Sequence, residues 1–304
     1  MGIHPSLASI FSAHGLEPSG SGPVFRTANG EYYGKVARSR RAADQMRGEA
    51  ASLAAMLRTA PPGLVPRVLG YVDADVGALV TEYADGRGGR GGRQAALGRA
   101  LAEMHCPPPS EAGAGGGEAV AQNALDKITA YTGKFGFPVP THCGVTEQDN
   151  TWTESWEEFF RDRRLGDLVR RIGEARVNKA WGRCKERAVP LLLGNITPPP
   201  VPVPLHGDLW PGNVAGATIY DPAGYYGHGE ADLGMTRMFG GFSQAFYDAY
   251  HSIHPQSQPH YDQRIRLYEL YHHLNHALMF GGGYTGGAVR IMDELADWAE
   301  GVRS

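Results

Sequence analysis

The amino-acid sequence predicts an α+β chain with two lobes, a small β-rich N-terminal lobe with one long helix and a larger, mainly helical C-terminal lobe. Short β-like segments flank a single Ala/Leu/Met/Glu-rich segment, and all of them precede residue 84. The glycine-rich run "DGRGGRGGR" follows at 85–93, and helix-like segments dominate after it. Glycine-rich runs are flexible, so we expect an N-terminal lobe at 1–84, a hinge or linker at 85–93 and a mainly helical C-terminal lobe at 94–304.

The first elements begin with a helix at 5–14, whose apolar residues have helical spacing and which stops at Gly15. Two β-like runs, 22–27 and 31–37, flank the dipeptide Asn29-Gly30. Asn-Gly between two such runs is a strong hairpin signal. The lobe therefore starts with a helix and a β-hairpin.

The rest of the N-terminal lobe contains one helix and a second hairpin. The stretch 41–59, "RAADQMRGEAASLAAMLRT", is rich in good helix formers and ends before Pro61-Pro62-Gly63. "RVLGYV" and "GALVTEY" then form a predicted hairpin around 73–77. We expect a small sheet interrupted by one long helix.

The C-terminal lobe reads as helices with one chemically distinctive loop. "TPPPVPVP" precedes the loop "LHGDLWPGNV", and the chain ends in the helical segments "RIRLYELYHHLNHALMF" and "AVRIMDELADWAEGV". The earlier helical segments are predicted at 94–105, 118–131, 152–173 and 175–188.

The overall charge does not suggest a nucleic-acid or membrane partner. The formal net charge of the 304 residues is -3 and the pI is about 6.5, so there is no global basic field. "RGGRGGR" could belong to an RNA-binding tract, but one short copy in a nearly neutral chain favours a hinge or surface loop.

The cysteines and the N-terminus indicate the compartment. Cys106, Cys143 and Cys184 are scattered and odd in number, which fits a reducing setting without a structural zinc or disulfide framework. The first residues lack a basic segment followed by a long apolar one, and no run approaches 18 apolar residues. We expect a soluble, cytoplasmic protein.

The loop "LHGDLWPGNV" and the following "IYDPAG" supply the residues for phosphoryl transfer. Such a reaction needs a carboxylate beside the acceptor hydroxyl and oxygen ligands for Mg²⁺. Asp208, Asn213 and Asp221 provide them in the order D-x4-N-x7-D, and the protein-kinase catalytic loop has the same Asp-to-Asn spacing. We interpret Asp208 as the base and Asn213 and Asp221 as metal ligands; a chance D-x4-N in a loop is the alternative.

A cation for the nucleotide phosphates is predicted in the N-terminal lobe. We therefore expect 1–84 to be the nucleotide-binding lobe and 94–304 to be the catalytic and substrate lobe. Lys35 lies on the second strand, and Glu49, inside the long helix, is placed to pair with it. "SGSG", with Gly20 and Gly22, precedes the first strand and is a candidate phosphate-covering loop, although Ser/Gly runs are usually linkers.

The segment "LVTEYAD" leads from a buried strand into the glycine-rich boundary. The corresponding hinge of kinases offers backbone N–H and C=O groups to adenine. We therefore predict adenine contacts at Glu82, Tyr83 and Ala84.

Three further side chains are expected to support the loop. His105 shares a helix face with apolar residues and is interpreted as a core histidine with satisfied hydrogen bonds. His206 precedes the tight turn that Gly207 allows before the base. Asp232 is placed to N-cap the next helix and to brace the Asp208 loop by hydrogen bonds.

In several of its segments the chain resembles the fructosamine kinase (ketosamine-3-kinase) family, within the aminoglycoside and choline kinase-like group. The resemblance runs from about residue 31 to 290. The segments that carry it are "KFGFPVPTHCGVTEQDNTWTESWEEFFRDRRL", "LHGDLWPGN", "DPAGYYGHGEADLGMTRMFGGF", "FYDAYH" and "LYELYHHLNHALMFGGGY".

The resemblance implies a bilobal protein-kinase-like fold and ATP- and Mg²⁺-dependent phosphorylation of ketosamines, free or on glycated lysines, usually at the sugar 3-hydroxyl. By position it makes Asp208 the base, Asn213 and Asp221 the Mg²⁺ ligands, and Lys35 with Glu49 the ion pair. Many members have a longer Gly-rich loop with a redox-sensitive cysteine. "PSGSGPVFRT" is short and has none, so no disulfide dimer through that loop is expected.

Two side chains are candidates for binding the sugar. Trp210, two residues after the base, could stack on the apolar face of the sugar, or it could be a core residue that braces the loop. His276, with His272, His273 and Asn275 on the same C-terminal helix, could bond sugar hydroxyls, or it could be a helix-packing histidine.

Two alternatives stay open. A related kinase acting on an amino sugar or aminoglycoside should have an acidic pocket, which these imidazoles and the amide do not provide. A nucleotide-binding pseudokinase scaffold is disfavoured because all five catalytic-type residues are present. The preferred ketosamine and the oligomeric state remain open.

Overall fold

The N-terminal lobe is built on a four-stranded antiparallel sheet. The computed structural model describes residues 2–38, 40–84, 93–109, 125 and 129–303. The strand order is β1-β2-β4-β3, and the two predicted hairpins are both present. The strands are β1 Val24–Thr27, β2 Gly30–Ala37, β3 Val68–Val72 and β4 Gly77–Glu82.

Strand β4 is buried on both faces, which explains its nearly continuous apolar sequence. Ala78 and Val80 pack in a cluster with α1 (Pro5–Ala13). Leu79, between them, points to the opposite face and packs with residues of α2 (Arg40–Leu57). The two-residue period of the strand thus joins a helix to each face of the sheet.

The C-terminal lobe is mainly helical and forms the large core. The helices are α3 Arg93–Met104, α4 from Trp156 to Ile172, α5 Ala175–Arg187, α6 Val189–Leu193, α7 Asp232–Met238, α8 Gln244–His251, α9 Tyr261–Phe280 and α10 Gly283–Arg303. Helix α9 packs against α7 and α10, and α10 packs against α5. Gly98 allows α3 to approach α8 closely, since a Cβ there would lie 2.1 Å from the carbonyl oxygen of Phe246.

The helix predicted at 152–173 begins later, at Trp156. Thr153 pairs instead with Phe135 in an antiparallel bridge, and Ser155 caps the helix by accepting from the Glu158 N–H at 3.2 Å. The middle of the helix, Phe159–Gly166, is π-helical. Pairing with a distant segment therefore overrides the local helical preference at 152–155.

Three features complete the comparison with the predictions. The hairpin of β5 (Thr141–Cys143) and β6 (Thr146–Gln148) was not predicted. The helix predicted at 118–131 lies mostly outside the described residues, and 129–131 are not helical. The glycine-rich boundary at 85–93 also lies outside them, except that Arg93 begins α3.

Two short strands frame the loops predicted to carry chemistry. β7 (Val203–Leu205) pairs antiparallel with β10 (Tyr225–Gly227), and Leu205 lies opposite Tyr225. The strands β8 (Val214–Ala215) and β9 (Thr218–Ile219) form a hairpin between them. Asp208 follows β7 and Asp221 precedes β10. Both loops are therefore anchored to the same two-stranded sheet. In the described part of the chain, no helix is both long and apolar enough to cross a membrane.

Candidate active site

The loop that carries Asp208 makes a tight turn at Gly207. Its φ is +77°, and a Cβ there would lie 2.2 Å from the carbonyl oxygen of Ala223. The Ala223 N–H also donates to the His206 carbonyl at 2.8 Å. Only glycine satisfies both the left-handed backbone and the close approach.

Asp232 holds this turn in place by hydrogen bonds. Its two carboxylate oxygens accept from the N–H groups of His206 and Gly207, each at 2.7 Å, and His105 Nε2 lies 3.1 Å from Oδ2. The bracing contacts predicted for Asp232 are therefore present. The predicted N-cap is wrong, because Ala231 is the N-cap and Asp232 lies inside the first turn of α7. The carboxylate accepts from the preceding loop instead of from its own helix.

Both histidines of this support are buried and hydrogen-bonded. His206 Nδ1 accepts from the Asp208 N–H at 3.2 Å, so Nε2 donates to the Tyr220 carbonyl at 2.9 Å. Burial lowers the pKa of His206 despite the opposing effect of Asp232, which suits this neutral tautomer. His105 lies between Asp232 and the Tyr250 hydroxyl (2.9 Å), as expected of a core histidine.

The carboxyl group of Asp208 is poised between protonation states. Burial, with repulsion from Asp221 and Asp232, raises the pKa of Asp208 to about 7. Its Oδ1 is buried without a hydrogen-bond partner among the described residues. A carboxylate with a pKa near neutrality and a free oxygen has the properties of a general base.

Asn213 ties the two loops together. Its Nδ2 donates to the Asp208 carbonyl at 2.9 Å and lies 3.4 Å from the Asp221 carbonyl. Since the amide nitrogen is held by backbone, Oδ1 is the atom of Asn213 that can act as a ligand. This oxygen and the Asp221 carboxylate are both hard oxygen donors of the kind that Mg²⁺ prefers.

The lysine of the N-terminal lobe reaches this site. Lys35 Nζ lies 2.8 and 3.0 Å from the two carboxylate oxygens of Glu49 and also contacts Asp221 Oδ1. Asp221 adopts a left-handed backbone, with φ at 56°, which aspartate tolerates better than most residues. The β2 lysine, the α2 glutamate and the loop aspartate thus form one charged cluster.

Burial affects the two partners of this pair in opposite ways. It acts to lower the pKa of Lys35, but the carboxylates of Glu49 and Asp221 outweigh it and raise that pKa. Burial and the Asp221 charge raise the pKa of Glu49 to about 7, against the effect of Lys35. We take the pair as ionised, because both Glu49 oxygens lie within 3.0 Å of the ammonium.

These residues line a cleft of about 400 Å³ between the sheet and the C-terminal lobe. The Tyr83 N–H donates to the Glu31 carbonyl at 3.0 Å, and the Glu82 N–H donates to the Arg67 carbonyl at 2.9 Å. Gly20 and Gly22 have φ values of +114° and +125° but lie outside the cleft wall. The lining comprises Tyr33, Lys35, Glu49, Leu53, Pro66, Leu79, Thr81, Glu82, Tyr83, Ala84, Ala215, Tyr220 and Asp221.

Trp210 and His276, the two candidate sugar-binding residues, both pack against a third aromatic ring that was not predicted. Phe239 packs on Trp210 with ring centroids 5.9 Å apart and on His276 at 5.6 Å. Trp210 is 39% exposed, so it is not a core residue. His276 Nδ1 bonds the His272 carbonyl at 2.8 Å, which leaves Nε2 for a ligand. The wall of Trp210, Phe239 and His276 is called the aromatic wall below.

The other polar residues of α9 do not belong to the aromatic wall. His272 and Asn275 are buried, and Asn275 Nδ2 donates to the Cys143 carbonyl at 3.2 Å. His273 pairs with Glu269 at 3.2 Å. Helical geometry explains the difference, since neighbours along a helix point in different directions. Of the four, His276 alone belongs to the aromatic wall.

Comparison with known proteins agrees with this geometry. The fructosamine kinase family model matches residues 21–297. Ketosamine-3-kinase of Mus musculus is 37% identical over 90% of this chain and 91% of its own length, and a chloroplastic protein-ribulosamine 3-kinase of Arabidopsis thaliana is 35% identical over 89% and 77%.

Solved structures place the fold in the same group. A candidate fructosamine-3-kinase of Thermobifida fusca YX-ER1 superposes with a TM-score of 0.74 at 26% identity, covering 98% of this chain and 100% of that one. Choline kinase LicA of Streptococcus pneumoniae shares the fold at 13% identity, with a TM-score of 0.53 over 96% and 97% of the two chains. The fold is protein-kinase-like, and this chain belongs to the fructosamine kinase family.

Proposed function

We propose that this kinase transfers the γ-phosphoryl group of ATP to a sugar hydroxyl of a ketosamine, with Asp208 as the base. The observation that carries the proposal is that the Lys35–Glu49 pair and Asp221 line one cleft. Asn213 joins Asp221 to Asp208 beside that cleft, through hydrogen bonds to both backbone carbonyls. The names of the mouse and Arabidopsis relatives support a ketosamine or ribulosamine as the acceptor.

The nucleotide occupies the cleft with its adenine at the strand end. Glu82, Tyr83 and Ala84 line the cleft there. Because the Glu82 and Tyr83 N–H groups bond the Arg67 and Glu31 carbonyls, Ala84 is the candidate N–H donor to adenine. Lys35, held by Glu49, faces the phosphates and supplies positive charge to them.

Asp221 and Asn213 would hold Mg²⁺, which supplies charge neutralisation on the phosphates when it is bound. The side chain of Asp221 is 46% exposed, so this carboxylate is accessible from the cleft. Lys35 contacts the same carboxylate. The ammonium therefore lies beside the carboxylate that would hold the metal.

Asp208 completes the transfer on the acceptor side. Its carboxylate takes the proton of the sugar hydroxyl as that oxygen forms its bond to the γ-phosphorus, and the bond to the ADP oxygen breaks. Asp232 keeps the loop in place by accepting from the backbone N–H groups of His206 and Gly207. Positioning and charge, more than covalent chemistry, then account for the rate.

The sugar binds against the aromatic wall. A tryptophan face stacks on the C–H face of a sugar, and the exposed part of Trp210 offers that face two residues after the base. His276 Nε2 adds one hydrogen bond to a hydroxyl. We place the transferred phosphate on the 3-hydroxyl, which would promote loss of the sugar from the amine and hence deglycation.

Product analysis tests this proposal. The protein is incubated with Mg·ATP and a panel of free and protein-bound fructosamines and ribulosamines, together with an aminoglycoside. Mass spectrometry detects the phosphorylated product, and NMR locates the phosphate. We expect phosphorylation of ketosamines at the 3-hydroxyl. Transfer to the aminoglycoside alone would establish the amino-sugar alternative, and nucleotide binding without any transfer would establish the pseudokinase alternative.

A further inference from the structure

A cluster of three metal-binding side chains lies at the base itself. Cys143 ends strand β5, Asp208 lies in the loop after β7, and His272 lies on helix α9. One ligand atom from each residue lies within 4.8 Å of the other two. Three elements distant in sequence therefore bring a thiol, a carboxylate and an imidazole together.

Two of these groups have unused ligand atoms. Asp208 Oδ1 and His272 Nδ1 are buried and have no hydrogen-bond partner among the residues described. His272 is 3% exposed and Cys143 is 2% exposed. Buried polar atoms normally have partners, so two such atoms beside one thiol indicate a space for a ligand.

The donor types select the ligand. A thiolate, an imidazole nitrogen and a carboxylate oxygen are the ligands that Zn²⁺ accepts, and three of them with a fourth open position form a common zinc geometry. Mg²⁺ prefers oxygen donors only. The cluster is therefore suited to a soft divalent cation and not to the metal that serves the nucleotide.

We propose that Cys143, Asp208 and His272 form an inhibitory site for Zn²⁺ or a similar thiophilic divalent cation. Binding displaces the Cys143 thiol proton to solvent and forms bonds from the cation to the sulfur, the His272 nitrogen and an Asp208 oxygen. Since the inhibition rests on the proposed function of Asp208, the bound cation stops turnover by occupying the base. Zinc–ligand bonds of about 2.0–2.3 Å hold neighbouring ligand atoms closer together than the 4.8 Å limit within which these three atoms lie.

Binding is measured first, without reference to activity. Cd²⁺ is titrated into the Mg²⁺-free protein, and thiolate-to-Cd²⁺ charge-transfer absorbance is recorded; Co²⁺ gives a visible spectrum that reports the coordination number. We expect one equivalent bound per chain. Loss of one ligand in Cys143→Ala or His272→Asn should weaken binding at least about 100-fold, more than the loss of an outer-shell partner.

Control variants separate this site from other thiols and from the nucleotide metal. Cys184→Ala and Cys106→Ser remove the other two cysteines and should leave the Cd²⁺ absorbance unchanged. If Zn²⁺ inhibited the enzyme by binding at Asp221 and Asn213 instead, added Mg·ATP would relieve the inhibition. That inhibition would also persist in Cys143→Ala. Thermal melting of each variant shows whether it is folded. If Cys143→Ala is unstable, His272→Asn serves as the test variant, because it keeps a polar group at that position.

The outcomes divide clearly. Zn²⁺ inhibition that is lost in both ligand variants, with a thiolate absorbance that depends on Cys143, supports the proposal. Absence of the absorbance from the wild type, or its persistence in Cys143→Ala, overturns the site. Stoichiometric binding with unchanged turnover overturns the inhibition and contradicts Asp208 as the base, while the metal site stands.

Discussion

At the scale of single residues, the chemistry depends on the surroundings of Asp208. Burial and two neighbouring carboxylates raise the pKa of this group to about 7, and Oδ1 remains without a partner in the described structure. The sequence could indicate an aspartate five residues before an asparagine. It could not indicate Cys143 and His272 beside it, because those contacts join segments that are 65 and 64 residues away in the chain.

The pH dependence of the reaction should report this pKa. The base is active when deprotonated, and its pKa in the free protein is raised to about 7, so kcat/KM should rise with pH through neutrality and level off above it. Initial rates with both substrates well below saturation give the profile. A profile that stays flat between about pH 5 and pH 9 would contradict a base with this environment.

Asp221 gives a prediction for nucleotide binding. Asp221→Ala should weaken Mg·ATP binding at least about tenfold, because even outer-shell partners of a metal are worth 10- to 100-fold. Calorimetry with Mg·ATP measures it, and the exposed Asp248→Ala serves as the matched control. Unchanged Mg·ATP affinity in Asp221→Ala would remove this residue from the metal site.

Trp210 gives a prediction for the acceptor. Stacking of an aromatic ring on a base is worth about 1–3 kcal/mol, and by analogy Trp210→Ala should lower kcat/KM for the ketosamine about 5- to 150-fold. Mg·ATP affinity should stay nearly constant, and Trp210→Phe should recover part of the loss by keeping a ring. Normal ketosamine kinetics in folded Trp210→Ala would leave the residue as a brace for Phe239 only.

At the scale of elements, short sequence patterns predict the helices and hairpins whose residues are close together in the chain. Asn29-Gly30 predicted the β1–β2 hairpin, and the Ala-rich stretch ended by Pro61 predicted α2. The start of α4 was wrong because Thr153 pairs with Phe135, 18 residues earlier. A pairing of that separation leaves no signal in the local periodicity that the prediction uses.

The support of the Asp208 loop by Asp232 predicts a stability effect as well as a kinetic one. Leaving a buried donor without its acceptor costs about 1–3 kcal/mol per group. Asp232→Ala removes the acceptor of the His206 and Gly207 N–H groups and the partner of His105 Nε2, so the free energy of unfolding should fall by at least that amount. Asp232→Asn, with one acceptor oxygen, should lie between Ala and wild type. Urea unfolding measures the loss of stability.

The same variants separate positioning from folding. In Asp232→Asn, kcat should fall while Mg·ATP affinity is retained, since the carboxylate acts through the loop that holds the base. The exposed Asp248→Asn should change the free energy of unfolding by no more than about 0.5 kcal/mol. Full turnover in a destabilised Asp232→Asn protein would make Asp232 a structural residue without a positioning role.

At the scale of the whole molecule, the site exists because two lobes meet. Lys35 and Glu49 belong to the sheet and to α2, whereas Asp208, Asn213 and Asp221 belong to loops supported by β7 and β10. Their spacing in the sequence suggests a role for each, but the contact of Lys35 with Asp221 depends on packing between the lobes. The aromatic wall depends on the same kind of packing, and its central ring, Phe239, was not predicted.

The central claim is that Asp208 acts on the acceptor and not on the nucleotide. The direct test is single-turnover transfer from Mg·ATP to a fructosamine or ribulosamine by Asp208→Asn, with Mg·ATP affinity measured on the same protein. Transfer should fall about 10²- to 10⁴-fold, the range of general-base contributions, while Mg·ATP affinity stays within a few-fold of wild type. Transfer within a few-fold of wild type, or a loss explained by lost nucleotide binding, would contradict it.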